Sequence, residues 1–434
     1  MIQPVRTAII GCGAISEPYL ETLTKKFKIT QVVACCDMNA DKARDKAQKY
    51  GLQVMSMDEI IADKSIELVI NLTTPVAHHA VIKQLLEGGK HVYTEKALTV
   101  ELAQGAELLE IANNKGLYLG AAPDTFLGSA VQTARYVVDS GMIGEVSSCY
   151  CALSRDSEIF SRAFPFTARP GGGIGFDVGI YYLTALLSIL GPVSEVSGIV
   201  KTRKPEKVNY SLEHFGETYP IECENLMAGT LQFSCGVVGN MLFEANSVFT
   251  APERPAVVLY GSLGVLYMAD PNNFGGEVKV LLKGNNEPFV MQQSHAFNQE
   301  FRGLGAAEMA WSMRMGRKNR ANKEMAYHAL EVLHGIVTSS ETKTIQTMKS
   351  TFEKTPPLPR GFTGQTYFEF MEEPGIANYE SGRGAVSSMV CPYIYPSEAP
   401  GRQPICFAQS SAAKMIKSQT GSLISQNASI SSAW

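Results

Sequence analysis

Val5-Arg6-Thr7-Ala8-Ile9-Ile10-Gly11-Cys12-Gly13-Ala14-Ile15-Ser16 decides how the rest of this chain is read. A short apolar strand, residues 5–10, runs straight into a glycine-rich turn and then a helix. Glycine lets backbone N–H groups come close to a pyrophosphate, and the N-terminus of the following helix favours its negative charge. The residue at the third position of the motif packs helix against strand and must be small, which Ser16 satisfies. The next apolar run, Val32-Val33-Ala34-Cys35-Cys36, ends in Asp37, an acid placed to accept both ribose hydroxyl protons of an adenosine. Together these features predict a dinucleotide site.

Working outward, the first third of the chain alternates strand and helix. Strand runs fall at 5–10, 29–36, 68–72, 91–94 and 117–121, and helical patterns at 16–26, 40–49, 76–88 and 100–114. Alternation of this kind requires a parallel sheet with helices on both faces. The near-continuous apolar run Val69-Ile70-Asn71-Leu72 suits a strand buried on both sides. After Ala122 the rhythm changes. A helix over 128–141 is followed by alternating strands at 146–153, 193–200, 227–233, 237–244, 256–260, 264–268 and 278–282. A long amphipathic helix, 324–339, comes next, and Pro356-Pro357-Leu358-Pro359 ends regular structure. The expected class is α/β: a doubly wound parallel sheet over residues 1–123, then an α+β domain with a large open, mainly antiparallel sheet over 124–360. Residues 361–434, rich in Ser, Gly, Pro and Gln, are expected to be disordered or loosely packed.

Composition narrows the function. A chain of 434 residues exceeds one ordinary core, so two domains are expected. Net charge is −4; no basic face is implied, so nucleic acid and anionic membranes are poor candidates as partners. No apolar run is long enough to span a bilayer, and no signal-like stretch stands near the start. The nine cysteines are scattered with no C-x-x-C pair, as expected of free thiols in a reducing cytoplasm. Cys149 and Cys151 have the spacing of one sheet face, and no ligand-spaced His or Cys accompanies them, so no metal is expected.

Three further segments carry chemistry. Thr73-Thr74-Pro75-Val76-Ala77-His78 follows a core strand at the carboxyl edge of the sheet, where short hydroxyls suit a dinucleotide; His78 either touches the cofactor or caps and packs the helix. Thr94-Glu95-Lys96-Ala97 ends the next strand at the same edge. There the Lys96 ammonium can orient a substrate hydroxyl and lower the pKa of a neighbouring acid/base group. Gly171-Gly172-Gly173-Ile174-Gly175-Phe176-Asp177 opens a helix in which Asp177 and Tyr181 stand four apart and share a face. An acid stabilising the helix start beside a core tyrosine would explain that segment alone.

The glycine turn after the first strand, the Glu95-Lys96 step after the fifth and the helix start from Gly171 to Tyr181, in this order over residues 4–360, resemble the glucose–fructose oxidoreductase/inositol dehydrogenase family (Gfo/Idh/MocA). Ala122-Pro123-Asp124-Thr125-Phe126-Leu127-Gly128 and Tyr181-Tyr182-Leu183 are similar to one branch of it. The resemblance implies a Rossmann domain and a second α/β domain whose open sheet mediates homodimers or homotetramers. Lys96 matches the lysine of the family's E-K-P motif, with Ala97 in place of proline. Asp177 matches its aspartate, and Tyr181 stands where many members carry histidine, as in the branch with a tyrosine acid/base. The implied activity is an NAD(P)-dependent oxidoreductase moving hydride between nicotinamide and a hydroxyl-bearing carbon of a sugar, polyol or related cyclic alcohol. Tyr181, Lys96 and Asp177 would be its catalytic set. The alternatives are an NAD-dependent glycosidase using transient oxidation and a non-catalytic dinucleotide sensor.

The cofactor contacts expected are Gly11, Cys12, Gly13, Ala14, Ile15, Asp37, Thr73, Thr74, Pro75, His78, Glu95 and Lys96. NAD is preferred because Asp37 would repel a ribose 2′-phosphate and Met38 and Asn39 offer no arginine to receive one; Lys42 and Arg44 keep NADP as the alternative. Candidate substrate residues are Asp124, Phe126, Arg155, Arg169 and Tyr182. His214, His295, His328 and His334 belong to no motif.

Overall fold

The computed structural model describes residues 2–156, 165–210, 212–247 and 255–360. The expectation for 361–434 lies outside the described residues.

The first sheet is six-stranded. In chain order its elements are β1 (Val5–Ile10), α1 (Ser16–Lys25), β2 (Thr30–Cys36), α2 (Ala40–Tyr50), β3 (Gln53–Val54), α3 (Met57–Ala62), β4 (Leu68–Asn71), α4 (Pro75–Glu87), β5 (His91–Thr94), α5 (Leu102–Asn114) and β6 (Leu119–Ala121). All pairings are parallel, in the order β3-β2-β1-β4-β5-β6. This is a doubly wound sheet, and its order reverses between β1 and β4, where such folds open a crevice at the carboxyl ends of the strands. Every residue of β4 is buried. Each fully buried Leu, Val or Ile there contributes about 1.5–3 kcal/mol. The strand β3 and helix α3 have no counterpart in the sequence reading. They are too short for periodicity to register, and α3 is set by its Ser56/Glu59 capping box.

The second part begins with α6 (Ser129–Asp139) and β7 (Val146–Ser154), followed by α7 (Ile180–Leu190) and β8 (Val193–Lys201). A small hairpin, β9 (Glu206–Val208) with β10 (Thr218–Pro220), precedes β11 (Leu226–Phe233), β12 (Val238–Glu244), β13 (Val257–Gly261), β14 (Gly264–Met268), β15 (Val278–Leu282) and β16 (Phe289–Val290). The helices α8 (Leu304–Met315) and α9 (Lys323–Thr342) and the short β17 (Gln346–Thr347) complete it. Nine strands form one open sheet, β16-β15-β14-β13-β7-β12-β11-β8-β17, antiparallel except where β12 pairs with β7. In β12 buried and open positions alternate strictly from Val238 to Phe243, as one covered face requires. One apolar cluster runs from Val5 and Ile9 through Leu186 of α7 to Met227 and Leu231, so the two sheets share a core.

The sequence reading also left α8 out. Its first nine residues are all buried, so no amphipathic stripe marks it. Its one acid in that stretch, Glu308, is fully buried and paired with Arg317 and Arg320. The proline segment is pinned to the body: the Leu358 N–H donates to Gln132 Oε1 (2.9 Å), and Arg320 Nε donates to the Pro356 carbonyl (3.0 Å).

Candidate active site

The carboxyl edge of the first sheet carries the glycine turn. Gly11 adopts φ +98°, and a Cβ there would stand 2.7 Å from the Leu72 carbonyl carbon and oxygen, so the turn crosses the end of β4 with no room for a side chain. Gly13 differs, since a Cβ there would meet nothing within 4 Å. Among the described residues no hydrogen-bond acceptor takes the amides of Gly13, Ala14 or Ile15. An open glycine beside three free amides at the start of a ten-residue helix fits a pyrophosphate. Ser16 is fully buried, its hydroxyl donating to the Gly13 carbonyl (2.7 Å). Asp37 closes the loop from the neighbouring strand: its Oδ2 accepts from the Cys12 N–H (2.7 Å) and its Oδ1 from the Asn39 N–H (2.7 Å). The remaining lone pairs of this carboxylate suit ribose hydroxyls. Arg44 pairs with Asp41 on α2, and the Asn39 side chain caps that helix. Met38 and Val76, both wide open to solvent, are apolar groups beside this edge that are absent from the expected cofactor contacts.

At β4 and β5 several predicted residues turn inward. Pro75 starts α4, and the Thr73 hydroxyl donates to Asn71 Oδ1 (2.8 Å). His78 is fully buried with Nδ1 2.7 Å from the Ala97 carbonyl and Nε2 3.0 Å from that of Thr73, and burial lowers its pKa. Both ring nitrogens thus face backbone carbonyls inside the protein, so His78 serves the turns after Thr73 and Lys96 and presents no nitrogen to a ligand. Glu95 is likewise committed: Oε1 accepts from the Tyr19 hydroxyl (2.8 Å) and Oε2 from the Lys96 N–H (3.1 Å).

Lys96 itself reaches across to the second part of the chain. Its ammonium donates to Asp177 Oδ1 (2.5 Å) and to the Asp177 carbonyl (2.6 Å), and it lies 5.4 Å from the centre of the Tyr181 ring. Arg155 Nη2 donates to the other carboxylate oxygen of Asp177 (3.0 Å). Asp177 and Tyr181 thus meet Lys96 together, though not by a regular α-helical turn. Residues Gly175–Gly179 form a π-turn that leads into α7, a local widening that recurs at functional sites.

The electrostatics correct one expectation. Burial works against the Lys96 charge, but Asp177, Tyr181 and Glu95 outweigh it and hold its pKa above the ordinary value. For Tyr181 burial is the strongest influence and raises the hydroxyl pKa. Lys96 and Arg302 pull it down and Glu95 pushes it up, and the result stays above the ordinary value. Lys96 therefore acts on Tyr181 in the predicted direction without overcoming burial. Arg302, whose guanidinium pairs with Glu300 and donates to Asn272 Oδ1 (3.2 Å), is a charge at this tyrosine that no sequence motif announces.

The predicted substrate residues divide. Arg155 belongs to the Lys96–Asp177 assembly. Asp124 does not line an open site: it is buried, its Oδ2 accepts the N–H groups of Gly303 (2.9 Å) and Gly305 (3.0 Å), and it fixes the start of α8. Burial pushes its carboxyl up to about 7. Phe126 is core. Tyr182 is fully buried against Phe243 (ring centres 5.3 Å apart). Arg169 pairs at the surface with Glu222. Of the histidines outside the motifs, His295 and His328 are pushed down to about 4 by burial. Among the described residues no group of His, Cys, Asp and Glu could hold a metal ion, and no helix is long and apolar enough to cross a membrane.

This geometry has counterparts. Residues 5–122 match the model of the oxidoreductase family with an NAD-binding Rossmann fold, and residues 131–267 match the Gfo/Idh/MocA C-terminal domain. The chain belongs to the Gfo/Idh/MocA oxidoreductase family. A dTDP-3,4-didehydro-2,6-dideoxy-alpha-D-glucose 3-reductase of Streptomyces violaceoruber is 30% identical over 46% of this chain and 58% of its own. A trans-1,2-dihydrobenzene-1,2-diol dehydrogenase of Bos taurus is 24% identical over 66% of this chain and 80% of its own. The crystal structure of an oxidoreductase from Agrobacterium radiobacter in complex with NAD+, L-tartaric acid and magnesium shares the fold, with TM-score 0.66 and 17% identity over 79% of this chain and 98% of its own. Three curated relatives are matched over only 56%, 60% and 58% of their own length.

Proposed function

We propose that this chain is an NAD(P)-dependent oxidoreductase acting on a hydroxyl-bearing carbon of a sugar, polyol or related cyclic alcohol. The observation that carries the reading is the placement of Lys96. Its ammonium sits on Asp177 and over the Tyr181 ring, at the same sheet edge as the open turn at Gly13. The names of the relatives, a sugar reductase and a cyclic diol dehydrogenase, support the substrate class.

When bound, the nicotinamide supplies the acceptor or donor of hydride. The chain's own residues do the rest. Gly13, Ala14 and Ile15 offer amides to the pyrophosphate, with Thr73, Thr74 and Pro75 bordering the crevice, and Asp37 receives the ribose hydroxyls. Its charge, with Arg44 turned onto Asp41, favours NAD over NADP. In the reduction direction the Tyr181 hydroxyl, kept protonated by burial, gives its proton to the substrate oxygen; in the oxidation direction the ionised phenol takes the proton of the substrate hydroxyl. Lys96 holds that hydroxyl and offsets the charge that develops on Tyr181, and Asp177 holds Lys96 in place. We assign cofactor binding to residues 1–123 and substrate binding to 124–360.

The outer face of the nine-stranded sheet leaves Ile199, Val238, Leu242 and Tyr260 in the open, and we assign it to homo-oligomer formation, as a dimer or tetramer. The described cysteines are all free thiols, in keeping with a reducing cytoplasm.

The test is binding of NADH and NADPH by fluorescence, followed by a dehydrogenase screen over sugars, inositols and cyclic diols read by nicotinamide absorbance. Tight NADH binding with reduction of NAD by one alcohol class is expected. Binding without turnover on any alcohol would overturn the reaction, and absence of binding would overturn the reading from its first motif.

A further inference from the structure

Behind the Lys96–Asp177 pair lies a small polar pocket that the reaction as described does not use. Arg155, Asp177, Lys207, Glu224 and Thr167 line it. Glu224 stands in the segment between β10 and β11 and touches the glycine run at three points. Its carbonyl accepts from the Ile174 N–H (3.2 Å) and its Oε1 from the Gly175 N–H (3.1 Å). Its Oε2 occupies the space in which a Cβ on Gly173 would stand, only 1.9 Å away. The glycines of this run therefore make room for a carboxyl group of the protein itself. That carboxyl grips the turn that carries Asp177 and leads into α7, where Tyr181 stands.

We propose that Glu224 is a positioning residue for the Lys96–Asp177 pair: it holds the π-turn through the Gly175 amide, and the second negative charge it carries when ionised acts against Asp177, so that turnover depends on pH through a group that never touches substrate. The inference rests on the reading of Lys96, Asp177 and Tyr181 given under Proposed function.

The physical reason is charge. Asp177, already an acid, faces the same pocket as Glu224. Burial, with the Asp177 charge added, pushes the Glu224 carboxyl up to about 7 against the amides of Gly175 and Phe176. The other charged and titratable groups around it are Arg155, at the end of β7 and already on Asp177; Lys207 of β9, whose ammonium donates to the Ala245 carbonyl (2.5 Å); and Glu222 and Cys223 in its own segment. A second negative charge beside Asp177 is therefore resisted, and when it forms it acts on the turn that holds Asp177.

The experiment compares full-length wild type with E224Q and E224A. It reads kcat against pH on the alcohol found in the screen, and melting temperature against pH. Wild-type kcat should carry a falling limb near pH 7 that is absent from E224Q. E224A should lose about tenfold to a hundredfold in kcat, as expected of a displaced catalytic group, and E224Q should recover most of it. Because the folded-state pKa is raised, the wild type gives up stability as pH rises through it. E224Q should therefore gain melting temperature over wild type above pH 7 and lose that gain at acid pH. A falling limb that persists in E224Q, or an E224A variant with full kcat, would overturn the inference. Should the Gln variant fail to fold, Glu224→Asp keeps the charge on a shorter arm; a reduced kcat is expected and an unchanged one would overturn the inference. The melting profile requires no turnover. The stability crossover in a protein inert on every alcohol would uphold Glu224's buried ionisation and sink the reaction, whereas Lys96-dependent turnover with an unaltered pH profile in E224Q would do the reverse.

Discussion

Two glycine-rich stretches open helices in this protein, and they have opposite uses. At Gly11–Ser16 the central glycine faces open space, and three amides behind it have no acceptor among the described residues. At Gly171–Gly175 the space is already taken. A Cβ on Gly172 would lie 1.9 Å from the Phe166 carbonyl oxygen, one on Gly173 would strike Glu224, and one on Gly175 would strike Met227. In the first stretch Gly11 makes room for the end of β4 but Gly13 leaves open space beside unpaired amides, whereas the glycines of the second stretch make room only for the protein itself, which packs there and brings Asp177 and Tyr181 to Lys96. Glycine content alone does not distinguish the two; what surrounds each glycine does.

The sharpest way to test this division is to remove the groups that the second stretch delivers. Lys96→Ala and Tyr181→Phe should each lower turnover by at least about a hundredfold while NADH affinity, which belongs to the first stretch, survives. Near-normal turnover in both variants would end the assignment. Next in size is Gly173→Ala. The Cβ must displace Glu224 or the turn, an overpacking cost of about 1–3 kcal/mol, so melting temperature and kcat should fall together with NADH affinity kept. Gly13→Ala should do the converse, keeping the melting temperature and weakening NADH. If the two glycine variants gave the same pattern, the contrast between the stretches would be false.

A smaller effect is expected at Asp37. Asp37→Ala should weaken NAD relative to NADP by about tenfold, the worth of one charge-assisted hydrogen bond, and titrations with both cofactors would reveal an unchanged preference if Asp37 is not the selector. The smallest concerns Asp124, which is pushed up to about 7 from an ordinary 3.8. A raised carboxyl contributes most to stability below its unfolded value and loses that contribution as pH climbs through the folded one. Melting temperature followed from pH 4 to pH 7 should decline less in Asp124→Asn, whose side-chain oxygen can still accept the Gly303 and Gly305 amides. Parallel curves for the two proteins would show that Asp124 does not titrate in that window. Comparing the two proteins directly removes the parallel contribution of Glu224.

The amino-acid sequence by itself determined the parts whose signal is local. The strand and turn at Val5–Ser16, the acid after β2, the alternation of strand and helix through Ala121 and the alternating strands of the second sheet are all written in neighbouring residues. Periodicity and glycine report backbone geometry within a few positions. The family motifs also placed Lys96, Asp177 and Tyr181 in one group. Tertiary structure alone decided the rest. It buried α8 on every side and so erased its stripe, sealed Asp124, Phe126 and Tyr182 inside, and turned His78 and Glu95 toward the backbone and Tyr19. It also set Arg302 beside Tyr181 and Glu224 behind Asp177 from segments far along the chain. Which way a side chain points, and how burial weighs against a neighbouring charge, depends on contacts between residues distant in sequence. A linear pattern carries no record of those contacts. For that reason the downward pull of Lys96 on Tyr181 could be read from the chain, and the burial that outweighs it could not.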